Sequence, residues 1–167
     1  MKTEINRYYL EIYSPKDLKE SNALTSEYKI LQICPPDFQI NKFFYKNIGK
    51  KHQWTDRLIW KDSQWIDYAH DKKVDTYILK QSDNMAGYFE LIYHKNVNEI
   101  EIAYLGLLEE YLNKKLGSFL LDAALKKAFL KKPKRIWVHT CTLDHKNALK
   151  NYLARGMKVF KEETLSI

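Results

Sequence analysis

The sequence predicts an α/β (α+β) domain: a mixed, mostly antiparallel central sheet flanked by helices. Three observations lead there. Segments of strand period and of helix period follow one another along the whole chain. A long helical stretch separates two strand-like segments, Glu99 to Leu108 and Arg135 to Thr142, which makes a crossover and hence a parallel pair. That same stretch carries apolar residues around most of its circumference, so it packs heavily against a sheet.

Each element has its own justification. Tyr8 to Tyr13 alternates and is rich in Tyr and Ile, which reads as a strand. Tyr28 to Ile33 reads as a second strand or an extended segment, broken by Pro35-Pro36. After a capping Asp37, the chain to Lys50 carries Phe38, Ile40, Phe43, Phe44 and Ile48 at helical spacing. Ser63 to His70 is a short second helix with Asp62 or Ser63 as its cap. Val74 to Gln81 and Ala86 to His94 flank "SDNM" as a hairpin, and Glu99 to Leu108 follows as a third antiparallel strand. The long helix runs from about Lys114 to Leu130 and stops before Pro133. Beyond the strand at Arg135, Lys146 to Arg155 is a helix with Gly156 as its cap, and Met157 to Glu162 begins a last strand.

At 167 residues, with 45% hydrophobic and 29% charged residues, the whole chain is expected to form one globular domain, residues 1–167. No apolar run approaches the ~20 residues that span a bilayer. The N-terminus is polar where a signal peptide is apolar, so a cytoplasmic location without membrane association is expected. Cys34 and Cys141 are too few for a disulfide framework and read as free thiols. The net charge of +7 is spread along the chain and comes with no recognition-helix or stacking motif. A nucleic-acid partner is therefore not expected. A local positive field for a polyanionic small ligand, or a lysine-rich surface that keeps the protein dissolved, remain the two readings of the charge.

"YLNKKLGSFLL" crosses a loop into the long helix. The first N–H groups of a helix lack intrahelical partners and carry the positive dipole end, which makes an anion site. Lys114 and Lys115 are unfavourable at that end unless an anion lies there, though a solvated basic turn would look the same. Gly117, one turn in, costs ~1 kcal/mol relative to alanine and points to a close approach, by a ligand or by a neighbouring strand.

With these residues in view, "EIAYLGLLEEYLNKKLGSFLL" resembles the cofactor motif of the GNAT superfamily of N-acetyltransferases. Glu110-Tyr111 fall on the family's "E-Y" turn and Gly117 on the last glycine of its Q/R-x-x-G-x-G/A loop. Leu112 stands where Arg or Gln is usual, Lys115 where glycine is usual, and Glu109 where Pro is frequent. A second stretch, "HKNALKNYLARGM", resembles the family's N-x-x-A-x-x-x-Y-x-x-x-G-F segment through Ala148, Tyr152 and Gly156. There Met157 takes the Phe place and His145 the Asn place.

The resemblance implies acetyl transfer from acetyl-CoA to a primary amine, directly within a ternary complex and without a metal. It implies that Asn113, Lys114, Lys115, Leu116, Gly117 and Ser118 cradle the pyrophosphate, mainly through backbone N–H groups. Leu105 and Leu107 would pair with the pantetheine arm where the strands splay near Gly106, and His145 would lie beside it. Tyr152 would be the general acid. Glu101 would be the base, with ordered water as the family's other solution. Glu101 also reads as a solvated residue near a strand end. By simple alternation Glu99, Glu101, Ala103, Leu105 and Leu107 share one strand face.

In "WVHTCTLDH", His139 and Cys141 share a face, but no second cluster completes a zinc site. They line the acceptor side of the cleft on the milder reading. Trp54, Trp60 and Trp65 either bind an amine by cation–π contact or cap a small core, with the core favoured for at least two. Asp56 and Asp67 are candidates to pair an acceptor ammonium. The acceptor is a small-molecule or protein amine. The alternative is a catalytically inactive acyl-CoA sensor or protein-interaction module of the same fold. The exposed edge of a mixed sheet is available for pairing into a homodimer.

Overall fold

The computed structural model describes residues 2–167. Seven strands form a single sheet in the order β2-β3-β4-β5-β6-β1-β7. The strands are β1 (Glu4–Ile12), β2 (Tyr28–Gln32), β3 (Val74–Gln81), β4 (Asn84–His94), β5 (Glu99–Leu107), β6 (Arg135–Cys141) and β7 (Lys158–Ser166). The helices are α1 (Phe38–His52), α2 (Asp62–Ala69), α3 (Leu116–Phe129) and α4 (Ala148–Ala154). β5 and β6 run parallel, as the crossover through α3 requires, and every other neighbouring pair is antiparallel. The mixed, mostly antiparallel sheet with helices on both faces is as expected.

α1 forms because Asn41, Phe44, Tyr45 and Ile48 recur at helical spacing and are all buried. The Asp37 carboxylate accepts from the Gln39 N–H at 3.0 Å and caps its start. Phe44 and Ile48 pack on Ile78 and Tyr88 on one sheet face. On the other face α3 lays Leu120, Leu121, Ala124, Leu125 and Ala128 against Leu10, Phe89, Leu91, Ile100, Ile102, Ile136 and Val138. Tyr152 of α4 joins that core. Gly156, just past α4, has φ +101°, and a Cβ there would lie 2.1 Å from the Asp17 carbonyl oxygen. Only glycine fits this C-terminal cap.

Several boundaries differ from the expectation. β1 starts at Glu4 and inserts between β6 and β7, antiparallel to both. The start of α2 is capped from Lys61, whose N–H donates to the Gln64 side chain at 2.9 Å, not from Asp62 or Ser63. α3 begins at Leu116, because Lys115 has φ 60° and cannot belong to the helix. β7 extends to Ser166 and forms an exposed sheet edge.

Candidate active site

β5 and β6 are paired only at Glu99↔Arg135, Ile100↔Ile136 and Glu101↔Trp137. Beyond that point β5 follows β4 and β6 follows β1, and the two diverge. The fork leaves the β6-facing backbone of Ile102 to Leu107 without a strand partner. A cleft of 840 Å³ opens there, within the size range of small-ligand sites.

A bulge shapes the β5 wall. Glu90 pairs with Tyr104 and Leu91 with Ile102, so Ala103 is the extra residue. The bulge corrects the simple alternation: Ile100, Ile102, Leu105 and Leu107 all pack toward α3, while Tyr104 turns to the α1 face. Glu101 therefore does not share a face with Leu105 and Leu107. Gly106 is regularly paired with Tyr88 and is not itself the bulge. A Cβ on Gly106 would come within 2.8 Å of the Ile48 side chain, so glycine is needed for α1 to approach the fork.

The floor near α3 is the stretch in which an anion site is expected. Asn113 and Lys115 have φ of 61° and 60°, alternating with ordinary residues. Such alternation turns successive N–H groups to one side. Lys115 thus takes a left-handed conformation rather than a helical one. Leu112, Asn113, Lys115, Leu116, Gly117 and Ser118 all line the cleft. Lys114 does not; its ammonium lies over the Tyr111 ring, 5.4 Å from the centroid. The close approach expected at Gly117 is not made by a strand: the nearest atom to a Cβ there is the Asn151 amide nitrogen at 3.8 Å. Asn151 donates to the Gly117 carbonyl at 3.0 Å and ties α4 to this turn.

Of the other expected residues, Leu105, Leu107, His145 and Tyr152 line the cleft and Glu101 does not. The Glu101 carboxylate lies 3.0 Å from His94 Nε2. Tyr152 is 7% exposed. Burial, with the negative charge of Asp144 behind it, raises its hydroxyl above the ordinary tyrosine range. At neutral pH it is a hydroxyl with a proton to give. His145 is lowered by burial, by His52 and by Lys146.

Two loops meet over the cleft. Asp144 accepts from Thr140 Oγ1 at 2.6 Å, from the Cys141 N–H at 3.0 Å and from Trp54 Nε1 at 3.2 Å. His52 Nδ1 lies 3.2 Å from the Leu143 carbonyl oxygen. The α1–α2 loop is anchored behind this wall by Arg57, whose guanidinium pairs with Glu90 at 3.0 Å. Five rings surround it, those of Tyr45, Trp60, Trp65, Tyr68 and Tyr104, at 4.0–5.7 Å. Trp60 and Trp65 thus belong to a small core, while Trp54 and Asp56 line the cleft and Asp67 does not.

Sequence reasoning passed over Arg7, Asn151, Lys150 and Arg155, all cleft-lining. For His139 it weighed a zinc site and a partner role for Cys141 before the milder reading of a wall residue. His139 opens onto the cleft and packs on the Tyr9 ring at 5.6 Å. Burial and then the charge of Arg7 lower its pKa, against the opposing pull of Glu101, Asp144 and Asp56. Its imidazole is neutral at pH 7. Among the described residues no three His, Cys, Asp or Glu side chains gather as metal ligands would. No helix among them is long and apolar enough to cross a membrane.

Residues 28–157 match the sequence pattern of the acetyltransferase (GNAT) family. The chain belongs to that family. The match spans the fork, the α3 turn and Tyr152, so the geometry above is that of a GNAT domain. A GCN5-related N-acetyltransferase from Kribbella flavida superposes with a TM-score of 0.66 at 13% identity, over 96% of this chain and 56% of that one. One from Sphaerobacter thermophilus gives 0.75 at 10% identity, over 97% and 50%. An aminoglycoside acetyltransferase from an uncultured soil metagenomic sample gives 0.64 at 12% identity, over 78% and 88%. At these identities the likeness is one of fold. The chain spans about half the length of the first two. Among curated proteins none matches the chain.

Proposed function

We propose that the chain is an N-acetyltransferase that carries acetyl from acetyl-CoA to a primary amine within a ternary complex, in the cytoplasm. The observation that carries this reading is the fork between β5 and β6, opening onto the N-terminus of α3. The residues fit an acyl-CoA. The fork offers unpaired backbone groups to a pantetheine amide, and the turn at Lys115 to Ser118 offers N–H groups to a pyrophosphate. Lys115, Lys150 and Arg155 line the cleft and make no ion pair among the described residues. They are free to meet phosphate charge.

When bound, acetyl-CoA supplies an activated thioester, from which the amine nitrogen takes the acetyl group to form an amide while the carbon–sulfur bond breaks. The chain's residues handle the protons. Neutral His139 accepts one from the acceptor's ammonium, directly or through a water. Glu101 sits at the last paired position of the fork and favours the charged form of His139, so it acts through that imidazole rather than on the amine. The Tyr152 hydroxyl donates a proton to the departing sulfur and is restored, through solvent, by the second proton that the nitrogen sheds as the amide forms.

Calorimetric titration with acetyl-CoA, with dephospho-CoA as control, tests the reading. Micromolar binding, weaker without the 3′-phosphate, is expected. No binding at millimolar ligand refutes it. Binding with no turnover of any amine would leave an acyl-CoA sensor.

A further inference from the structure

The chain has four arginines, and their pairing divides them. Arg57 is paired with Glu90, and Arg135 with Glu11 and Glu99. Neither lines the cleft. Arg7 and Arg155 do line it, and neither has a carboxylate within ion-pair distance among the described residues. Arg155 lies one helical turn beyond Asn151, whose amide holds the Gly117 carbonyl, and its Nε, like that of Arg7, is buried without a hydrogen-bond partner.

Arg7 is placed elsewhere. It lies on β1, directly opposite Cys141 and two residues from the partner of His139. Simple alternation puts Arg7, Tyr9, His139 and Cys141 on one face of the sheet, the face away from α3. On its other side Arg7 faces Glu163, but that carboxylate is taken by Lys161 at 2.7 Å and by the Tyr9 hydroxyl at 3.1 Å. The Arg7 Nε is buried without a hydrogen-bond partner. Tyr9 and, at longer range, Glu163 favour its charge, but no carboxylate reaches the guanidinium in the planar, two-pronged way that such a group can hold.

Across the cleft, the α1–α2 loop presents Asp56, which also makes no ion pair among the described residues. Arg7 and Asp56 both act electrostatically on His139, from opposite signs. One unpaired cation and one unpaired anion therefore line the same cleft as the imidazole assigned above to the acceptor's proton. The other charged groups felt by His139 are Glu101, already beside His94, and Asp144, which holds three hydrogen bonds to neutral donors.

We propose that the acceptor is a zwitterion of the amino-acid class, its carboxylate held by Arg7 and its ammonium drawn to Asp56 beside His139. The proposal rests on the acetyltransferase reading and narrows it. A simple diamine or an uncharged amine would leave Arg7 unpaired and place a cation next to it. A phosphate-bearing amine would bring two negative charges to a single guanidinium with Asp56 nearby. A single carboxylate matches the charge present.

The test is a panel of amino acids, each beside its carboxamide and its decarboxylated amine, with acetyl-CoA and thiol-release detection. Calorimetric titration of the same compounds into the CoA-saturated protein gives a readout independent of turnover. Carboxylate-bearing amines are expected to bind and react best. Arg7→Gln should raise their KM and Kd about 10- to 100-fold, as loss of a charged hydrogen-bonded pair does. It should leave the Kd of the carboxamides, and acetyl-CoA affinity, within twofold; their turnover is not the control, because Arg7 also acts on His139. Arg7→Lys, which keeps the charge and loses the fork, should fall between. Preference for the decarboxylated amines, or an equal loss of affinity for acids and amides in Arg7→Gln, overturns the proposal. So does failure of every carboxylate-bearing amine to bind or react. Loss of acetyl-CoA binding in the unmodified protein would instead overturn the acetyltransferase reading on which it stands.

Discussion

Replacing Glu90 with glutamine keeps the shape of a fully buried side chain and removes its charge. Glu90 is 0% exposed and Arg57 is 7% exposed. Every partner of the carboxylate arrives as a donor: Arg57 Nη1 at 3.0 and 3.4 Å, Asn41 Nδ2 at 2.6 Å and the Tyr68 hydroxyl at 2.9 Å. A glutamine amide cannot accept from all of them, and its own NH2 meets at least one donor head-on. Burial draws the Arg57 guanidinium down, and Glu90 with the neighbouring tyrosines more than reverses this, so its proton stays. The variant is left with a buried, uncompensated cation, which costs about 3–5 kcal/mol. At roughly 2–4 °C per kcal/mol for a domain of this size, the melting midpoint falls by about 6–20 °C. Urea denaturation read by tryptophan fluorescence and calorimetry measures this. The double variant Glu90→Gln/Arg57→Met, which removes both charges, should recover most of the loss. A Glu90→Gln protein within 1 kcal/mol of the parent refutes the argument, as does a double variant no better than the single one.

Other substitutions separate folding from binding. Gly117→Ala places a methyl 3.8 Å from its nearest protein neighbour, so stability should rise by about 0.5–1 kcal/mol. The same methyl crowds the phosphate turn, and acetyl-CoA affinity should fall roughly tenfold or more by calorimetry. Tyr152→Phe should lower kcat about 100-fold or more with acetyl-CoA affinity unchanged, as loss of a general acid does. The lowered pKa of His139 makes stability pH-dependent. Below about 6.5, its ordinary value, the unfolded chain binds a proton that the folded site resists, so stability declines as pH falls. His145 acts in the same direction. Urea midpoints between pH 7.5 and 5 should drop less steeply for His139→Gln than for the parent.

The elements themselves were legible from their periods: in α1, Phe44 and Ile48 of the expected stripe are buried, while Phe43 is exposed and Asn41 and Tyr45 complete the buried face. The bulge was legible too, although simple alternation hid it. In "EIEIAYLGL" the apolar residues step from Ile100 to Ile102, then skip to Leu105 and Leu107. That odd step marks the extra residue, Ala103. Glu90 is a lone carboxylate inside "AGYFELIY", a signal that the sequence reading passed over, while "HQWTDRLIWKDSQW" was visibly aromatic. What joins them is Arg57, one cation among many in the sequence, and a pairing across 33 residues leaves no local trace. The place of β1 was likewise illegible. Alternation says that a strand exists, not that it will insert between β6 and β7 and bring Arg7 beside His139. The fork depends on where pairing stops, which no single residue records.

The fork and the Arg57 cluster are two sides of one arrangement. A sheet opened in its middle forfeits ladder hydrogen bonds, and its flanking elements must be held by other means. On the α3 side that support is apolar: α3 packs on β4, β5 and β6 together and spans the opening from below. On the α1 side the loop over the opening is short of apolar contacts, since Leu58 and Ile59 are 54% and 85% exposed. There Arg57 ties the loop to β4 through Glu90 and to α1 and α2 through the rings of Tyr45 and Tyr68. Asp144 ties its other end to β6 through Trp54. The α3 wall of the cleft is therefore set by packing and the α1 wall by a few directional polar links. Substitutions at those links should change which amine fits long before they change whether an acyl-CoA binds.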